Sequence, residues 1–228
     1  MSQLQVRSLI DGFNYNYVDS LFDEDQVTNF REWIYYGHHK KINKVLTNEI
    51  NSKWIIRNYL SSKMILSATV MVTSLEYAIE KNLKMTIPYL SYYAVITCCR
   101  SFLYTIPYNE WTSNEDFLKM SHSKIINLTN DYLNHLDSEF ASETKAMING
   151  LKEWRELFSY KFPSSGIGLT EEYGLDEVID TCTTLCELAQ LSSEQIQKYV
   201  LKKCMHNFEE WGETESNLME HGYRYNGM

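Results

Sequence analysis

Three observations in the sequence predict an all-α protein. Only three prolines and nine glycines occur among 228 residues, which suits long helices joined by short turns. No stretch shows the sustained alternation of apolar and polar residues that is typical of strands. Apolar residues instead recur every three or four positions, most clearly between Trp54 and Lys81. With 44% hydrophobic residues, the chain has enough apolar side chains to fill a core.

The N-terminal part carries the first helical pattern. Met1–Asp25 is polar and aromatic, and we interpret it as irregular structure packed on a neighbour. Apolar residues at helical spacing then run from Phe30 to Leu46. Gly37 lies in the middle of this run and weakens it, so the pattern allows either one helix or two shorter ones.

The central part of the chain predicts four helices, whose ends are marked by prolines and capping residues. Pro88 suits the first turn of a helix, where its missing N–H costs little, and Pro107 ends that helix after about Ile106. Thr112 or Ser113 is a candidate N-cap for the following helix. The four helices are expected at about 54–81, 88–106, 113–136 and 142–160.

The C-terminal part follows the strongest loop signal in the sequence. Pro163, Gly166 and Gly168 lie close together, and this loop is the best candidate for a domain boundary. Two helices are expected beyond it, at about 176–191 and 193–211, with Ser192 or Ser193 as the cap between them.

Charge is distributed unevenly along the chain. The net charge is −9, whereas proteins that bind nucleic acid over their whole surface are more often basic. Between Arg31 and Lys63, however, seven basic side chains stand against two acidic ones, and Asn207–Glu220 holds five glutamates and no base. The simpler interpretation is two solvated faces; the alternative is that they pair with each other or with partners.

The cysteine count and the apolar segments indicate the cellular compartment. Five cysteines, an odd number, do not suggest a disulfide framework. No signal peptide begins the chain, and the apolar stretch Leu66–Ile79 is too short to span a bilayer and contains Glu76. We therefore expect a cytoplasmic protein, most simply bacterial, with no membrane contact.

Three segments, in order along the chain, resemble motifs of the HEPN superfamily, a group of small helical bundles that includes ribonuclease toxins and their inactive relatives. They are Tyr92-Tyr93-Ala94 with Arg100 and Leu103, then Ser121–Ile126, then Leu151–Tyr160. The resemblance implies a HEPN-like four-helix bundle over 51–162, an N-terminal helical extension over 1–50 and a C-terminal helical extension with an acidic tail over 169–228. It also implies a homodimer, and chemistry that requires no metal or other cofactor.

The third segment holds the residues to which the resemblance gives a catalytic role. HEPN ribonucleases carry Arg-x4–6-His near the end of the last core helix, where the two side chains of two protomers meet across a dimer cleft. The arginine holds the scissile phosphate, and the histidine moves a proton near neutral pH. Here Arg155 is present, but Tyr160 stands where a ribonuclease has histidine. Since tyrosine titrates near pH ~10, it is a poor general base at neutrality.

Two further side chains of the bundle are candidates for the same site. His122 is a candidate proton carrier, and the family packs its helix beside those of Arg100 and Arg155. Arg100 lies within an apolar run, where a buried cation is costly unless it is paired. It either contacts substrate or forms a structural ion pair with a carboxylate such as Glu76 or Asp131, and we prefer the ion pair.

A literal Arg-x6-His motif also occurs before the bundle, at Arg31 and His38. Lys40 and Lys41 follow it and are candidates to contact phosphate, together with this pair. With six histidines and 21 basic residues in the chain, such a match also arises easily by chance.

Four residues of types that bind metal occur in the C-terminal part, at Cys182, Cys186, Cys204 and His206. A zinc site is conceivable, but structural zinc sites usually use closer cysteine spacing. We expect buried cysteines that act as small apolar residues, and no metal.

Two functional hypotheses follow. The first is a HEPN-like protein with a degenerate nuclease motif that binds RNA, a nucleotide or a protein partner such as an antitoxin, in a toxin–antitoxin or phage-defence system. The alternative is a metal-independent endoribonuclease that uses an altered set of Arg, His and Tyr side chains. A helical scaffold subunit is the third and simplest option.

Overall fold

The computed structural model describes residues 15–43, 45–109, 119–160 and 173–204. This part of the chain contains seven helices and no strand, so the predicted all-α class is confirmed. The helices are α1 (Asn16–Leu21), α2 (Glu24–Ile42), α3 (Asn48–Glu80), α4 (Ile87–Thr105), α5 (His122–Leu133), α6 (Ser138–Tyr160) and α7 (Leu175–Lys203).

Helix α4 is the centre of the fold. It packs against α3, α5, α6 and α7. Nearly all its side chains are buried, because the helix is apolar on almost every face; the exceptions are Tyr89, Leu90, Tyr93 and Arg100. Pro88 lies in its first turn, and the helix ends before Pro107, as the sequence predicted.

A buried arginine covers the C-terminal end of α4. Arg57 of α3 is 2% exposed. Its Nε donates to the carbonyl of Tyr104 at 2.6 Å, and its Nη2 donates to those of Leu103 at 3.3 Å and Ile106 at 2.8 Å. Carbonyls at a helix end have no partner within the helix, and the helix dipole favours a cation there. The costly buried cation is therefore Arg57, whereas Arg100 is only half-buried.

The prediction of irregular structure for Met1–Asp25 is wrong where this segment is described. Residues 1–14 lie outside the described part, but α1 covers Asn16–Leu21 and α2 begins directly after Asp23. A capping box fixes the start of α2: the Asp23 carboxylate accepts from the N–H of Gln26 at 2.7 Å, and the Gln26 side chain accepts from the N–H of Asp23 at 2.9 Å.

Helix α1 is held by an acidic residue from the far end of the chain. The Glu187 carboxylate on α7 accepts from the N–H groups of Tyr17 at 3.0 Å and Val18 at 2.9 Å. A negative charge at a helix N-terminus is favourable, which supports so short a helix. Local sequence patterns give no sign of this contact, because it is made by a residue from another helix.

Helix α2 is continuous through Gly37, which decides between the one-helix and two-helix interpretations. A Cβ atom at this position would lie 2.5 Å from Cγ of Pro107 and 2.8 Å from a ring carbon of Tyr108. The glycine therefore allows the segment after α4 to lie directly against the helix.

Replacing Gly37 with Ala is expected to lower the free energy of unfolding by about 1–2 kcal/mol, because the clash with Pro107 and Tyr108 outweighs the gain in helix propensity. Chemical denaturation measures this difference. The control is Ser62→Ala at an exposed position of α3, where improved propensity should leave stability unchanged or slightly raised. A more stable Gly37→Ala protein would contradict the close packing.

Helix α5 begins later than predicted. The candidate caps Thr112 and Ser113 lie outside the described residues, but 119–121 is not helical, so a single helix over 113–136 is wrong. The N-cap is Ser121, whose hydroxyl accepts from the N–H of Lys124 at 3.3 Å. Helix α6 begins at Ser138, slightly earlier than predicted.

Helix α7 is single, whereas the sequence predicted two helices at this place. It runs from Leu175 to Lys203 without interruption. Ser192 is fully buried, and the Ser193 hydroxyl donates to the side-chain oxygen of Asn58 on α3 at 3.2 Å, so neither serine caps a helix. The end predicted near Trp211 and the loop at 163–168 lie outside the described residues.

One hydrophobic core receives side chains from all seven helices, including Val18, Phe30, Leu75, Phe102, Ile125, Leu151 and Leu188. The division into a bundle over 51–162 and extensions on either side stays a prediction. Across the described residues, no helix combines the length and the apolar character that crossing a membrane requires.

Candidate functional site

The side chains of Tyr92, Tyr93, His122 and Arg155 lie in contact, and we call them the aromatic–cation cluster. Tyr92 and Tyr93 belong to α4, whereas His122 begins α5 and Arg155 lies in the last turns of α6. They meet because α5 and α6 both pack against α4. The Arg155 guanidinium carbon lies 4.8 Å from the ring centroid of Tyr92 and 5.7 Å from that of Tyr93, which are cation–π distances.

Arg155 is only partly satisfied by its neighbours. Its Nη1 donates to the hydroxyl of Tyr93 at 3.1 Å, and its Nη2 lies 3.3 Å from a carboxylate oxygen of Glu156. Its Nε has no hydrogen-bond partner. This Nε is buried, but a guanidinium has five N–H donors, so Nη1 and Nη2 each retain one N–H for a ligand.

Tyr92 and His122 form the second link of the cluster. The Tyr92 hydroxyl lies 2.8 Å from Nδ1 of His122. Burial raises the pKa of Tyr92 to about 12. Burial and three neighbouring cations lower the pKa of His122; the cations are Arg100, Arg155 and Lys152. Both shifts favour a neutral imidazole that accepts a hydrogen bond from a neutral phenol at pH 7.

Arg155 also lines a cleft of about 270 Å³ between the start of α4 and the end of α6. The remaining walls are Met85, Thr86, Pro88, Tyr89 and Phe158. The rings of Tyr89 and Tyr93 lie one turn apart on α4, with centroids separated by 4.5 Å. An apolar, aromatic wall beside one guanidinium suits a ligand that joins a flat ring to an anion.

Arg100 adds positive charge near His122, and it does not form the ion pair that we preferred. Glu76 and Asp131 are both exposed, and neither lies within ion-pair distance of Arg100. Its half-buried position on α4 places it on the same helix as Tyr92 and Tyr93.

The second predicted motif, Arg31 and His38, does not join the aromatic–cation cluster. The Arg31 guanidinium lies 5.7 Å from the ring centroid of Tyr15, whereas His38 is fully buried with its ring 4.7 Å from that of Trp54. Burial and the charge of Arg57 lower the pKa of His38 to about 3. Lys40 and Lys41 are exposed at the end of α2. The structure thus places His38 in the core, away from solvent.

Tyr160, the residue in the position of the nuclease histidine, is the last residue of α6. Its side chain lies outside the described part of the structure. The predicted role of this residue therefore stays a prediction.

The cysteines do not come together as a zinc set. Cys186 faces Cys98 of α4 with the two sulfur atoms 3.7 Å apart, whereas Cys204 is the C-cap of α7, 18 residues further along the chain. His206 lies outside the described residues, among which no group of three or more His, Cys, Asp or Glu side chains could hold a metal ion. All five cysteines are free, and burial raises the pKa of Cys99 to about 12, which disfavours the reactive thiolate.

The sequence did not predict the role of the tyrosines. Tyr92 and Tyr93 belong to a segment that resembles a HEPN motif, and this motif gives no indication that they hold Arg155. Tyr89, Tyr92 and Tyr93 are spaced i, i+3 and i+4, a signal that does place them on neighbouring faces of one helix. The partner helix that supplies the cation is not encoded in that spacing.

Fold and cluster together define an all-α protein with a cationic and aromatic candidate ligand site. The chain matches no protein-family model, no curated protein and no solved structure. The HEPN assignment accordingly stays a prediction from the sequence.

Proposed function

We propose that this is a HEPN-like protein that binds the phosphate and the base of a nucleotide, or of an exposed nucleotide in RNA, without cleaving it. The observation that carries the proposal is Arg155, which two tyrosine rings hold in place beside a cleft while part of its guanidinium stays available. Arginine is the side chain best suited to phosphate, because its planar fork matches the phosphate oxygens.

The aromatic residues give the site a second element of recognition. Tyr89 is 51% exposed beside the cleft, and its ring packs against that of Tyr93 with centroids 4.5 Å apart. A base that stacks on an aromatic side chain gains roughly 1–3 kcal/mol, whatever its identity. A net charge of −9 opposes an extended RNA path, so the ligand proposed here is short.

Binding without cleavage agrees with the protonation states in the cluster. A phenol with a pKa near 12 does not exchange protons readily at pH 7, and it occupies Nδ1 of the nearby imidazole. Tyr160 in place of the nuclease histidine points in the same direction. A protein partner, an antitoxin or a homodimer, and a toxin–antitoxin or phage-defence setting, belong to this proposal through the HEPN resemblance alone.

The test is fluorescence anisotropy with a labelled single-stranded RNA of about ten nucleotides, with adenosine monophosphate as competitor. Arg155→Gln is expected to raise the Kd at least ten-fold, or about 1.4 kcal/mol, since one phosphate contact is lost. It should also reduce the salt dependence of log Kd by about 0.7. Competition by the mononucleotide distinguishes a nucleotide site from one that requires RNA.

The matched control is Arg31→Gln, which removes an arginine that also contacts a tyrosine ring, but on α2. Its Kd should equal that of the wild type. If Arg31→Gln lost RNA binding while Arg155→Gln retained it, the binding site would lie at the N-terminal motif instead. If the wild type showed no saturable binding, the proposal would be wrong.

One observation favours the alternative, a metal-independent endoribonuclease. The lowered pKa keeps His122 unprotonated at pH 7 among three cations, which is the state of a general base beside a phosphate site. An RNA-cleavage assay with Arg155→Ala, His122→Ala and His38→Ala tests it. Cleavage that depends on His122 would show that the protein is a ribonuclease and not only a binding protein. Cleavage that survives all three substitutions would exclude these residues as the catalytic set.

A further inference from the structure

Helix α3 carries apolar side chains on two opposite faces. One face, which includes Leu60, Ala68, Leu75 and Ala78, is buried in the core. On the opposite face, five large apolar side chains are exposed by 43–67%; we call them the α3 stripe: Ile55, Tyr59, Leu66, Val70 and Tyr77. A helix with apolar residues on both faces is usually covered on both.

The spacing of the α3 stripe is that of a helix–helix seam. Its members are separated by four, seven, four and seven residues, so at 100° per residue they fall within a band of about 60°. Such spacing is the pattern of interhelical seams in bundles and coiled coils. From Ile55 to Tyr77 the stripe is roughly 33 Å long.

The composition of this face favours a second copy of the same chain as its occupant. Between Ile55 and Tyr77, the exposed positions within or beside the band are Ser62, Thr69 and Thr73, which are small and uncharged. Glu76 and Lys63, whose Nζ lies 4.9 Å from the Tyr59 ring centroid, lie at its two edges. A two-fold interface places a surface against itself, which this face allows because its centre is uncharged and its charged side chains lie at the edges. If the glutamate-rich segment 207–220 covered this face instead, it would place carboxylates on an apolar surface whose centre has no basic side chains to pair with them.

The exposed area of the α3 stripe approaches that of a standard dimer interface. Since a large side chain presents about 150–250 Å², the α3 stripe exposes on the order of 600 Å² per protomer, and its small polar neighbours bring the face close to the roughly 800 Å² per partner of a standard interface.

We propose that two copies of this protein associate through the α3 stripe, with the two helices antiparallel and crossing at Leu66, its midpoint. Antiparallel helices also oppose their dipoles favourably. Helices α3 and α6 each pack on α4 and share no substantial contact, so Arg155 stays outside this interface. The arrangement therefore differs from a dimer with one shared cleft, and it does not depend on the proposed function.

The first test is the mass in solution, by sedimentation or light scattering. The wild type is expected at twice the 26.9 kDa chain mass, and the double variant Leu66→Glu with Val70→Glu at the mass of one chain. Both positions are about two-thirds exposed, so the monomer should keep its helical circular dichroism. The control Ile79→Glu changes an apolar side chain of α3 that is 39% exposed but lies off the stripe, and it should remain a dimer.

The second test is oxidative cross-linking of variants that each carry one added cysteine, compared with the wild type and its five native cysteines. Leu66→Cys should give a disulfide-linked dimer, whereas Tyr59→Cys should not, because an antiparallel crossing at Leu66 separates the two copies of residue 59 by roughly 20 Å. A monomeric wild type, a dimer that survives the double substitution, or cross-linking at position 59 in place of 66 would each overturn the proposal. RNA binding by the monomeric variant is measured independently, so the proposed dimer and the proposed nucleotide site can each be disproved without the other.

Discussion

Replacing Arg57 with Met is expected to lower the free energy of unfolding by about 3–5 kcal/mol. The methionine fills much of the space, but it leaves the carbonyls of Tyr104 and Ile106 buried without the donors that Arg57 supplied. It also removes the cation from the C-terminal end of α4 and from the ring of Trp54, whose centroid lies 4.6 Å from the guanidinium carbon. Burial lowers the pKa of Arg57 to about 9, so the lost group is charged at pH 7.

Chemical denaturation of matched variants measures this loss. The control is Lys53→Met on the same helix, where a partly exposed lysine forms an i,i+4 ion pair with the exposed Glu49 at 2.6 Å and contributes only about 0.3–0.5 kcal/mol. Arg57→Lys should fall between the two, because an ammonium keeps the charge but cannot reach three carbonyls at once. If Arg57→Met were as stable as the wild type, another group would have to satisfy the end of α4.

Acidification from pH 7 to pH 4.5 is expected to cost the protein about 2.5 kcal/mol of stability through His38 alone. Burial first, and then the charge of Arg57, lower the pKa of this imidazole to about 3; the backbone of Ser192 acts in the opposite direction. In the unfolded chain, His38 binds a proton near pH 6.5, whereas in the folded protein it stays neutral. The unfolded state is therefore favoured progressively as the pH falls from about 6.5 towards 3, and His38 makes no pH-dependent contribution above this range.

The measurement is the difference in unfolding free energy between pH 7 and pH 4.5, compared between the wild type and His38→Gln. The variant is expected to lose about 2.5 kcal/mol less on acidification, whatever its absolute stability. His135→Gln, which replaces an exposed imidazole, should show the wild-type difference. Equal differences in all three proteins would mean that His38 is protonated in the folded state and that the packing around Trp54 and Arg57 is wrong.

Helix boundaries followed from the sequence where a residue imposes them through its own backbone. Pro88 and Pro107 bracket α4 correctly, because a proline restricts its own backbone and that of the preceding residue wherever it lies. The interpretation failed where a polar residue has several roles. Ser192 and Ser193 resemble a cap in the sequence, but one is buried in the middle of α7 and the other bonds to Asn58 of α3. Tertiary packing decides between these roles.

The candidate site was also predicted only in part from the sequence. The resemblance to the HEPN family, which packs these helices side by side, led us to expect Arg155 and His122 near one another, and the structure places both against Tyr92 and Tyr93. The buried cation was assigned to Arg100, because it lies in the most apolar run of the sequence. Arg57 carries that role instead, since the carbonyls that it satisfies belong to another helix and leave no mark on its own sequence neighbourhood.

The central claim is that the Arg155 guanidinium engages the phosphate of a nucleotide or of RNA, and the most direct measurement is the NMR signal of its Nε–H group. Protein labelled with ¹⁵N-arginine would be titrated with adenosine monophosphate and with a short single-stranded RNA, with Arg155→Lys used to assign the signal. We predict that the Arg155 signal shifts and saturates along the same curve as binding, while that of Arg31 does not move. Binding that leaves the Arg155 signal unchanged, or no binding of either ligand, would contradict the account.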